Sequence, residues 1–248
     1  MLKTNLLLLV FFSVFSFAQN SGKVVYKATI FDLHLNSETD EVLEFNQGKV
    51  LYYEIPNSKD KKASAKDLSF KVKEDFIYTE NGQVYNYLNI EKKDIVGVEP
   101  LCNIHWEITN EEKKINDFTC YKAMGKFRGR EYVVWFTPEI PVPYGPWKLG
   151  GLPGLILEAE ETNTNLENRF VYIVSEINIP YENTENIPLA KNHIASQKHL
   201  SYKEAVDKKY KLYNEIGARI KASMPKGTNI INEKGHEKFA QEQNLDCE

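Results

Sequence analysis

A run rich in proline and glycine, between Thr137 and Leu155, constrains this sequence more than any other stretch. It holds five of the ten prolines and four of the thirteen glycines in the chain. Proline fixes φ and removes a backbone donor, whereas glycine reaches positive φ without steric cost. The run therefore predicts a long, specifically shaped loop that lies on the body of the protein. The apolar residues that favour this placement are Ile140, Val142, Tyr144, Trp147, Leu149 and Leu152.

Two aromatic residues of this loop, Tyr144 and Trp147, have two interpretations. Aromatic rings held on stiff turns make good ligand platforms, because they give a large contact area at low entropy cost. The same rings would also serve as anchors that pin the loop to a sheet. Deletion of a buried aromatic anchor costs about 3–5 kcal/mol of unfolding free energy. Both interpretations remain open from the sequence.

Residues 1–18 have the pattern of a signal peptide. Lys3 supplies the positive charge, an apolar run follows, and Ser16 and Ala18 place small residues at −3 and −1 of a cleavage before Gln19. The apolar run is short for a membrane span, which needs about 20 residues. The sequence predicts an exported protein, periplasmic or secreted, without a transmembrane anchor after cleavage.

The rest of the chain favours one domain over residues 19–224, followed by a polar tail over residues 225–248. Residues 226–248 show no apolar period, which predicts a poorly ordered segment. The formal net charge is −4, and removal of Lys3 with the leader makes it more negative. A nucleic-acid partner calls for a basic patch, which this composition does not offer.

Turn signals divide the first half of the chain into antiparallel hairpins. The 14 tyrosines and 13 phenylalanines favour strands over helices. Residues 46–48 (Asn-Gln-Gly) and 81–82 (Asn-Gly) each separate two β-rich runs, as hairpin turns do. A third hairpin is predicted from residues 103–109 and 115–124, joined at residues 110–112. Further strands are predicted over residues 23–32, 131–136, 155–160 and 170–177.

The hydrophobic period changes near residue 201. Ser201 and Glu204 form a capping box, in which each side chain satisfies a free amide of the first helical turn. An apolar stripe at helical spacing follows: Val206, Tyr210, Tyr213, Ile216 and Ile220. The helix should end before Pro225. The sequence thus predicts an α+β fold, a mostly antiparallel twisted or curved sheet of hairpins with one long C-terminal amphipathic helix.

The segment around the loop resembles a known family. The run GPWKLGGLPGLILE and the upstream Cys120-Tyr121-Lys122-Ala123 resemble the GLPGLI family of exported proteins from the Bacteroidota, over about residues 104–160. The resemblance implies an exported protein of a Gram-negative, Bacteroidota-like cell. Because the family has no established reaction or ligand, it implies no catalytic residue and no cofactor. The layout of hairpins and a late helix also resembles the curved half-barrel of periplasmic lipoprotein carriers.

Few side chains are candidates for chemistry. The five histidines (His34, His105, His193, His199 and His236) do not cluster, so no metal site is predicted. The sequence has no nucleophile elbow, P-loop or dinucleotide fingerprint. Glu158 and Glu160 lie on one face of a predicted strand, and a carboxylate pair can perform general acid/base catalysis.

The cationic residues near the loop are Arg128, Arg130 and Lys148. Arginine pairs bidentately with carboxylates, so this group could bind a substrate carboxylate. It could instead fix the loop to a neighbouring glutamate, for which the candidates are Glu131, Glu139 and Glu158.

Cys102 and Cys120 are predicted to form a disulfide. If the third hairpin turns at Glu111, these two residues face each other, and export favours oxidation. A bridge from either of them to Cys247 is the rival pairing.

The sequence favours a binding or carrier module for a peptide, a lipid-like ligand or an envelope protein. One alternative is a hydrolase that uses the paired carboxylates, and another is an interaction partner of an outer-membrane complex. Missing catalytic motifs and abundant aromatic residues favour binding over catalysis.

We predict that the exported protein begins at Gln19, because small residues precede that position at −3 and −1. Intact-mass measurement of the exported protein checks this prediction. A mature chain that starts at another residue would contradict it.

Overall fold

Twelve strands form a single sheet in the computed structural model, which describes residues 20–32, 36–55, 70–162 and 168–225 together with residues 242 and 245. All neighbouring strands are antiparallel except β12 and β6, which are parallel. The elements in chain order are β1 (Ser21–Asp32), β2 (Ser37–Asn46), β3 (Lys49–Ile55), β4 (Phe76–Glu80), β5 (Gln83–Ile90), β6 (Lys93–Pro100), β7 (Trp106–Ile115), β8 (Phe118–Phe127), β9 (Arg130–Thr137), β10 (Leu155–Glu161), β11 (Asn168–Asn178), α1 (Asn186–Ala195), β12 (His199–Ser201) and α2 (Tyr202–Ser223).

The strand order requires the sheet to curl. Strands run outward from β1 to β6, and the chain then returns from β7 at the far edge to β11, which pairs with β1. Only residues 101–105 connect β6 to β7, and a segment of this length spans at most about 21 Å. In a flat sheet, ten strand spacings would hold the two strands about 48 Å apart. The sheet therefore curves until its two margins approach, which agrees with the predicted fold class.

Different helices and loops pack on the two faces of the sheet. Helix α1 packs on one face, where Ile187 and Ala190 belong to the same hydrophobic core as Leu51 and Tyr53. The loop between β9 and β10 packs on the other face, in a core that includes Tyr52. Helix α2 lies on this second face too, against β6 and β5. The second face is the concave one, because the loop on it contacts strands from both margins, β6 and β7.

Two of the three predicted hairpins are confirmed. Gln47-Gly48 and Asn81-Gly82 occupy the turns between β2 and β3 and between β4 and β5, all four at positive φ. Strand β6, which no turn signal predicts, follows β5 through Glu91 and Lys92. Both residues have positive φ without being glycine or asparagine, so the hairpin lacks the usual sequence signature.

The third predicted hairpin is present, but the predicted position of its turn is wrong. Strand β7 continues through residues 110–112, with an irregularity in register between Ile108 and Glu112. The chain turns at Asn116, with φ of 53°, and Asp117. The extra residues of the bulge hide the alternation in β7 that would have located the turn.

Helix α2 is confirmed, together with its capping box. Ser201 accepts from the Glu204 amide, and the Glu204 side chain accepts from the Ser201 amide. The buried face differs from the predicted stripe: Ala205 and Leu212 are buried, whereas Ile220 is 49% exposed. A Cβ atom at Gly97 would lie 2.6 Å from the Cβ of Ala205. Gly97 therefore lets α2 approach β6 closely, and this contact sets which face turns inward.

Several predictions lie outside the described residues. They concern the signal peptide, His34, His236, Cys247 and all of the tail except Pro225, Glu242 and Leu245. Within the described part, none of the helices has the length and apolarity needed to cross a bilayer.

The predicted Cys102–Cys120 disulfide is wrong. Cys102 is disulfide-bonded, but Cys120 is a free, buried thiol. The physical reason is the turn at Asn116, which places Cys120 opposite Lys113 rather than opposite Cys102. Burial raises the pKa of Cys120 to about 11, so its thiol is protonated and poorly reactive at neutral pH.

We predict that Cys102 and Cys247 occur in one disulfide-linked peptide, since Cys247 is the remaining cysteine of the chain. Non-reducing peptide mapping by mass spectrometry checks this pairing. The control is a reduced digest, in which both peptides should be found separately. A linked peptide that contains Cys120 would contradict the prediction.

Candidate binding cavity

The proline-rich loop, residues 138–154, packs across the concave face. Four of its apolar side chains are buried in the main core: Ile140, Val142, Leu149 and Leu152. Trp106 Nε1 donates to the Gly150 carbonyl at 2.8 Å and ties the loop to β7. A Cβ atom at Gly154 would lie 2.1 Å from the carbonyl oxygen of Thr137, so the end of the loop can approach the end of β9 this closely only with glycine there. The loop lies on the body of the protein, as its apolar residues predict.

A group of buried and partly buried polar side chains lies where the loop meets β6 and α2. We call it the ionic cluster, and its members are Glu99, Arg128, Lys148, Tyr202 and Glu242. Lys148 Nζ lies 2.7 Å from Glu99 Oε1 and 2.6 Å from Glu242 Oε1. Arg128 Nη2 pairs with Glu99, and Arg128 Nε lies 3.8 Å from Glu242 Oε1. The Tyr202 hydroxyl donates to Glu242.

The cations of the ionic cluster have lost nearly all contact with solvent. The side chain of Arg128 is 1% exposed and that of Lys148 is 5% exposed. Lys148 Nζ also lies 4.1 Å from the centroid of the Tyr202 ring, a cation–π contact. Because desolvated charges are costly without partners, each cation depends on the carboxylates beside it.

Two backbone positions at the cluster have unusual conformations. Arg128 has φ of 57° in the turn between β8 and β9, and Trp147, next to Lys148, has φ of 53°. A left-handed conformation costs about 1–2 kcal/mol in a residue other than glycine. Such residues concentrate at binding sites, where the fold holds them in place.

The predicted cationic group is only partly assembled. Arg128 and Lys148 meet in the ionic cluster, but Arg130 lies apart and pairs with Glu161 at 2.6 Å, both fully buried. Arg130 also donates to Asn168 Oδ1 at 2.9 Å. It therefore joins β9 to β10 and β11.

The predicted glutamate partners of these cations were wrong. Glu131 pairs with Lys126, Glu139 accepts from the Thr119 amide, and Glu158 pairs with Lys113. The partners of Arg128 and Lys148 come instead from β6 and from the tail.

A cavity of about 310 Å³, partly open to solvent, lies beside the ionic cluster and is lined by α2, the loop and the neighbouring strands. This volume is at the lower end of the range for small-ligand sites. Aromatic residues make up much of its wall, including Tyr52, Trp147, Tyr202 and Tyr210. Glu242 and Leu245 of the tail also line it.

Three carboxylates line the cavity on the side of the sheet. Glu41 and Glu54 face each other across β2 and β3, and Asp75 lies close by at the start of β4. Burial raises the pKa of Glu41 to about 7, against a hydrogen bond from Tyr52 that lowers it. Burial also raises the pKa of Glu54 and of Asp75, and the charge of Asp75 adds to the rise at Glu54.

The two predicted aromatic platforms have different places. Trp147 is half-buried, lies in the cavity wall and packs on Phe127 with ring centroids 5.3 Å apart. Tyr144 packs on Phe45 and lines a second cavity of about 240 Å³ behind the loop. Trp147 thus has the contacts of an anchor and the position of a ligand platform.

The carboxylate pair on β10 is engaged elsewhere. Glu158 pairs with Lys113, and Glu160 pairs with Arg169 at 2.7 Å. Both pairs are partly exposed, as is typical of surface ion pairs. Their geometry adds no support to a catalytic role for Glu158 and Glu160.

Three residues of the ionic cluster were missed from the sequence. Glu99 lies on the unpredicted strand β6, Tyr202 is the first residue of α2, and Glu242 comes from the tail. No motif or turn signal marks these three residues as members of one site.

Comparisons with known proteins give a family and a fold. A family model described as N-glycanase peptide, N-terminal domain matches residues 32–204. Two crystal forms of PNGF-II are similar in structure, each with a TM-score of 0.51, at 16% and 17% identity. They cover 75% and 74% of this chain but 32% of PNGF-II, so the chain spans about a third of the length of that protein.

More distant structures include a LolA superfamily protein from Nitrosomonas europaea, with a TM-score of 0.33 and 8% identity, over 69% of this chain and 91% of that one. No curated protein matches the sequence.

We predict that Glu41→Gln stabilises the protein at pH 8 and has little effect at pH 4. Between pH 4.5 and about 7 the folded state holds a proton on Glu41 that the unfolded state releases, so stability falls as pH rises. The full shift corresponds to about 3 kcal/mol, and partial exposure of Glu41 should reduce the gain to about 1–2 kcal/mol.

Urea unfolding of both proteins at the two pH values checks this prediction. Glu38→Gln, on the same strand with a 59% exposed side chain, is the matched control and should show no such pH dependence. A gain for Glu41→Gln that is equal at pH 4 and pH 8 would contradict the assignment.

Proposed function

We propose that this chain, which belongs to the N-glycanase N-terminal domain family, is an exported peptide-binding module. Its binding site is the cavity lined by α2, the proline-rich loop and the sheet. Because the chain spans about a third of PNGF-II, the name N-glycanase describes a longer protein.

The observation that carries the proposal is that a piece of polypeptide already lines the cavity. Glu242 and Leu245 form part of its wall. Lys148 and Tyr202 hold the Glu242 carboxylate, and Arg128 donates to the Leu245 carbonyl. One side chain and one backbone carbonyl are thus recognised together, and both groups occur in any peptide with an acidic residue.

The composition of the wall favours a peptide over a lipid-like ligand. An acyl chain would displace the remaining water from Glu41, Glu54 and Asp75 and offer these carboxylates no hydrogen bond in return, and such burial is costly. Tyrosine and tryptophan rings, in contrast, offer both apolar area and polar groups to a peptide. The charges of Lys148 and Lys209, which also line the cavity, would likewise be costly to bury against an acyl chain.

Export is supported by the disulfide at Cys102, since such bridges persist in oxidising compartments. The signal-peptide pattern of residues 1–18 and the resemblance to the GLPGLI family over residues 104–160 agree with export. A periplasmic or secreted location in a Gram-negative, Bacteroidota-like cell is part of the proposal.

The alternative of a docking partner for an outer-membrane complex has less support. A docking role for the loop needs exposed apolar side chains, whereas Ile140, Val142, Leu149 and Leu152 are buried. The apolar side chains of the loop instead pack in the core of their own domain.

We expect a titration with a degenerate octapeptide library to change the intrinsic tryptophan fluorescence of the wild-type protein, because Trp147 lies in the cavity wall. Trp147→Ala should lose this change and at least tenfold of the affinity measured by equilibrium dialysis. It should also cost about 1–3 kcal/mol of unfolding free energy, since the ring is only half-buried.

Trp135→Ala is the matched control, because Trp135 is also half-buried but stacks with Lys113 away from the cavity wall. This variant should keep the peptide affinity of the wild type. If neither the wild type nor Trp135→Ala retains any peptide, the proposed function is wrong.

A further inference from the structure

We propose that Arg128, Lys148 and Tyr202 form a carboxylate-binding site that Glu242 occupies in cis, and that the peptides bound in trans are acidic. In this proposal a glutamate or aspartate of the bound peptide takes the place of Glu242. The inference rests on the proposed function and names the chemical class of its ligand.

The charges of the ionic cluster require a carboxylate from outside the sheet. The sheet supplies one carboxylate, Glu99, to two buried cations, Arg128 and Lys148. Asn86 Nδ2 also donates to Glu99 at 3.0 Å, which fixes the orientation of that carboxylate. Without Glu242, one positive charge in the cluster would be uncompensated, and a buried unpaired charge is strongly destabilising. The site therefore favours an anion in the position of Glu242.

Glu242 does not fully satisfy this site. Arg128 is 1% exposed, yet its Nε has no hydrogen-bond partner among the residues that the structure describes. This nitrogen lies 3.8 Å from Glu242 Oε1, beyond hydrogen-bond distance. Buried donors almost always have a partner. A carboxylate placed slightly deeper would accept from Arg128 Nε and still accept from Lys148.

The remaining contacts suit a peptide side chain better than a free inorganic anion. Tyr202 donates its hydroxyl to the carboxylate, and burial next to Glu242 raises the pKa of Tyr202 far above its usual value, so the hydroxyl keeps its proton. Arg128 Nη1 donates at the same time to a backbone carbonyl, that of Leu245. A ligand that offers a carboxylate and a peptide carbonyl three residues apart reproduces both contacts.

Because Glu242 belongs to the same chain, it competes with an added peptide at a high effective concentration. A tethered group is present at an effective concentration on the order of millimolar. The apparent affinity for an acidic peptide is therefore reduced in the wild type. Removal of the Glu242 charge should raise that affinity.

The experiment uses the full-length protein and two fluorescein-labelled octapeptides, measured by fluorescence anisotropy. The first peptide has the sequence of residues 239–246, FAQEQNLD, and the second has glutamine in place of its glutamate. We expect Glu242→Gln to bind the first peptide at least tenfold more tightly than the wild type does. We also expect it to bind the first peptide at least tenfold more tightly than the second.

Glu215→Gln, on the exposed face of α2, is the matched control and should bind like the wild type. Tyr202→Phe in the Glu242→Gln background removes one hydroxyl without leaving a buried charge, and it should weaken binding of the first peptide three- to tenfold. Thermal melting of each variant confirms that it is folded.

Two results would overturn the inference and leave the proposed function in place. One is equal binding of both octapeptides by Glu242→Gln. The other is binding of neither octapeptide while the degenerate library still changes Trp147 fluorescence. Loss of both signals would overturn the proposed function as well.

Discussion

The need to compensate buried charge holds the concave side of this protein together. Glu99 lies on β6, Arg128 in the turn between β8 and β9, and Lys148 on the proline-rich loop. These segments come from both margins of the curled sheet, which no strand pairing joins within the described part of the chain. Because each charge is desolvated, separation of the three would leave an uncompensated charge in the interior. The cluster therefore links the margins in a way that apolar packing, which is not directional, would not specify.

The same arrangement explains why the cavity persists instead of being filled by side chains. One end is bordered by the ionic cluster, and the sheet side carries Glu41, Glu54 and Asp75. Collapse of the cavity would press these carboxylates against aromatic rings and remove their remaining solvent. The raised pKa values of all three show that burial already disfavours their charged forms. A polar cavity of this kind stays open because desolvation of its carboxylates is more unfavourable than the added apolar contact is favourable.

Local structure could be predicted from the sequence wherever one residue type dictates the backbone. The Asn81-Gly82 turn and the Ser201–Glu204 capping box are examples, and both are present. The Glu91-Lys92 turn escaped prediction because it reaches positive φ without glycine. Helix α1 also escaped, since no side chain caps its N-terminus at Glu185. In both places tertiary contacts determine the conformation, and the local sequence shows no preference that would have predicted it.

The candidate site was predictable only in its cationic half. Arg128, Lys148 and Trp147 lie in or near the loop that dominates the sequence, so they could be singled out. Glu99 and Glu242 are separated by more than half of the chain and meet only because the sheet curls. A long-range ion pair of this kind has no signature in spacing or composition.

The strand order described above has a consequence for the kinetics of folding. Strands β1 to β6 pair mostly with their neighbours in sequence, and so do β7 to β11. The two halves meet in the pairing of β1 with β11, which joins residues as far apart as Lys23 and Asn178. Closure of so long a segment has a large entropic cost, which must be met before the pairing can form. We expect the meander β1–β6 and the meander β7–β11 to form early, and the pairing of β1 with β11 to form late. Pulsed hydrogen exchange during refolding would reveal this order as late protection of the amides that β1 shares with β11.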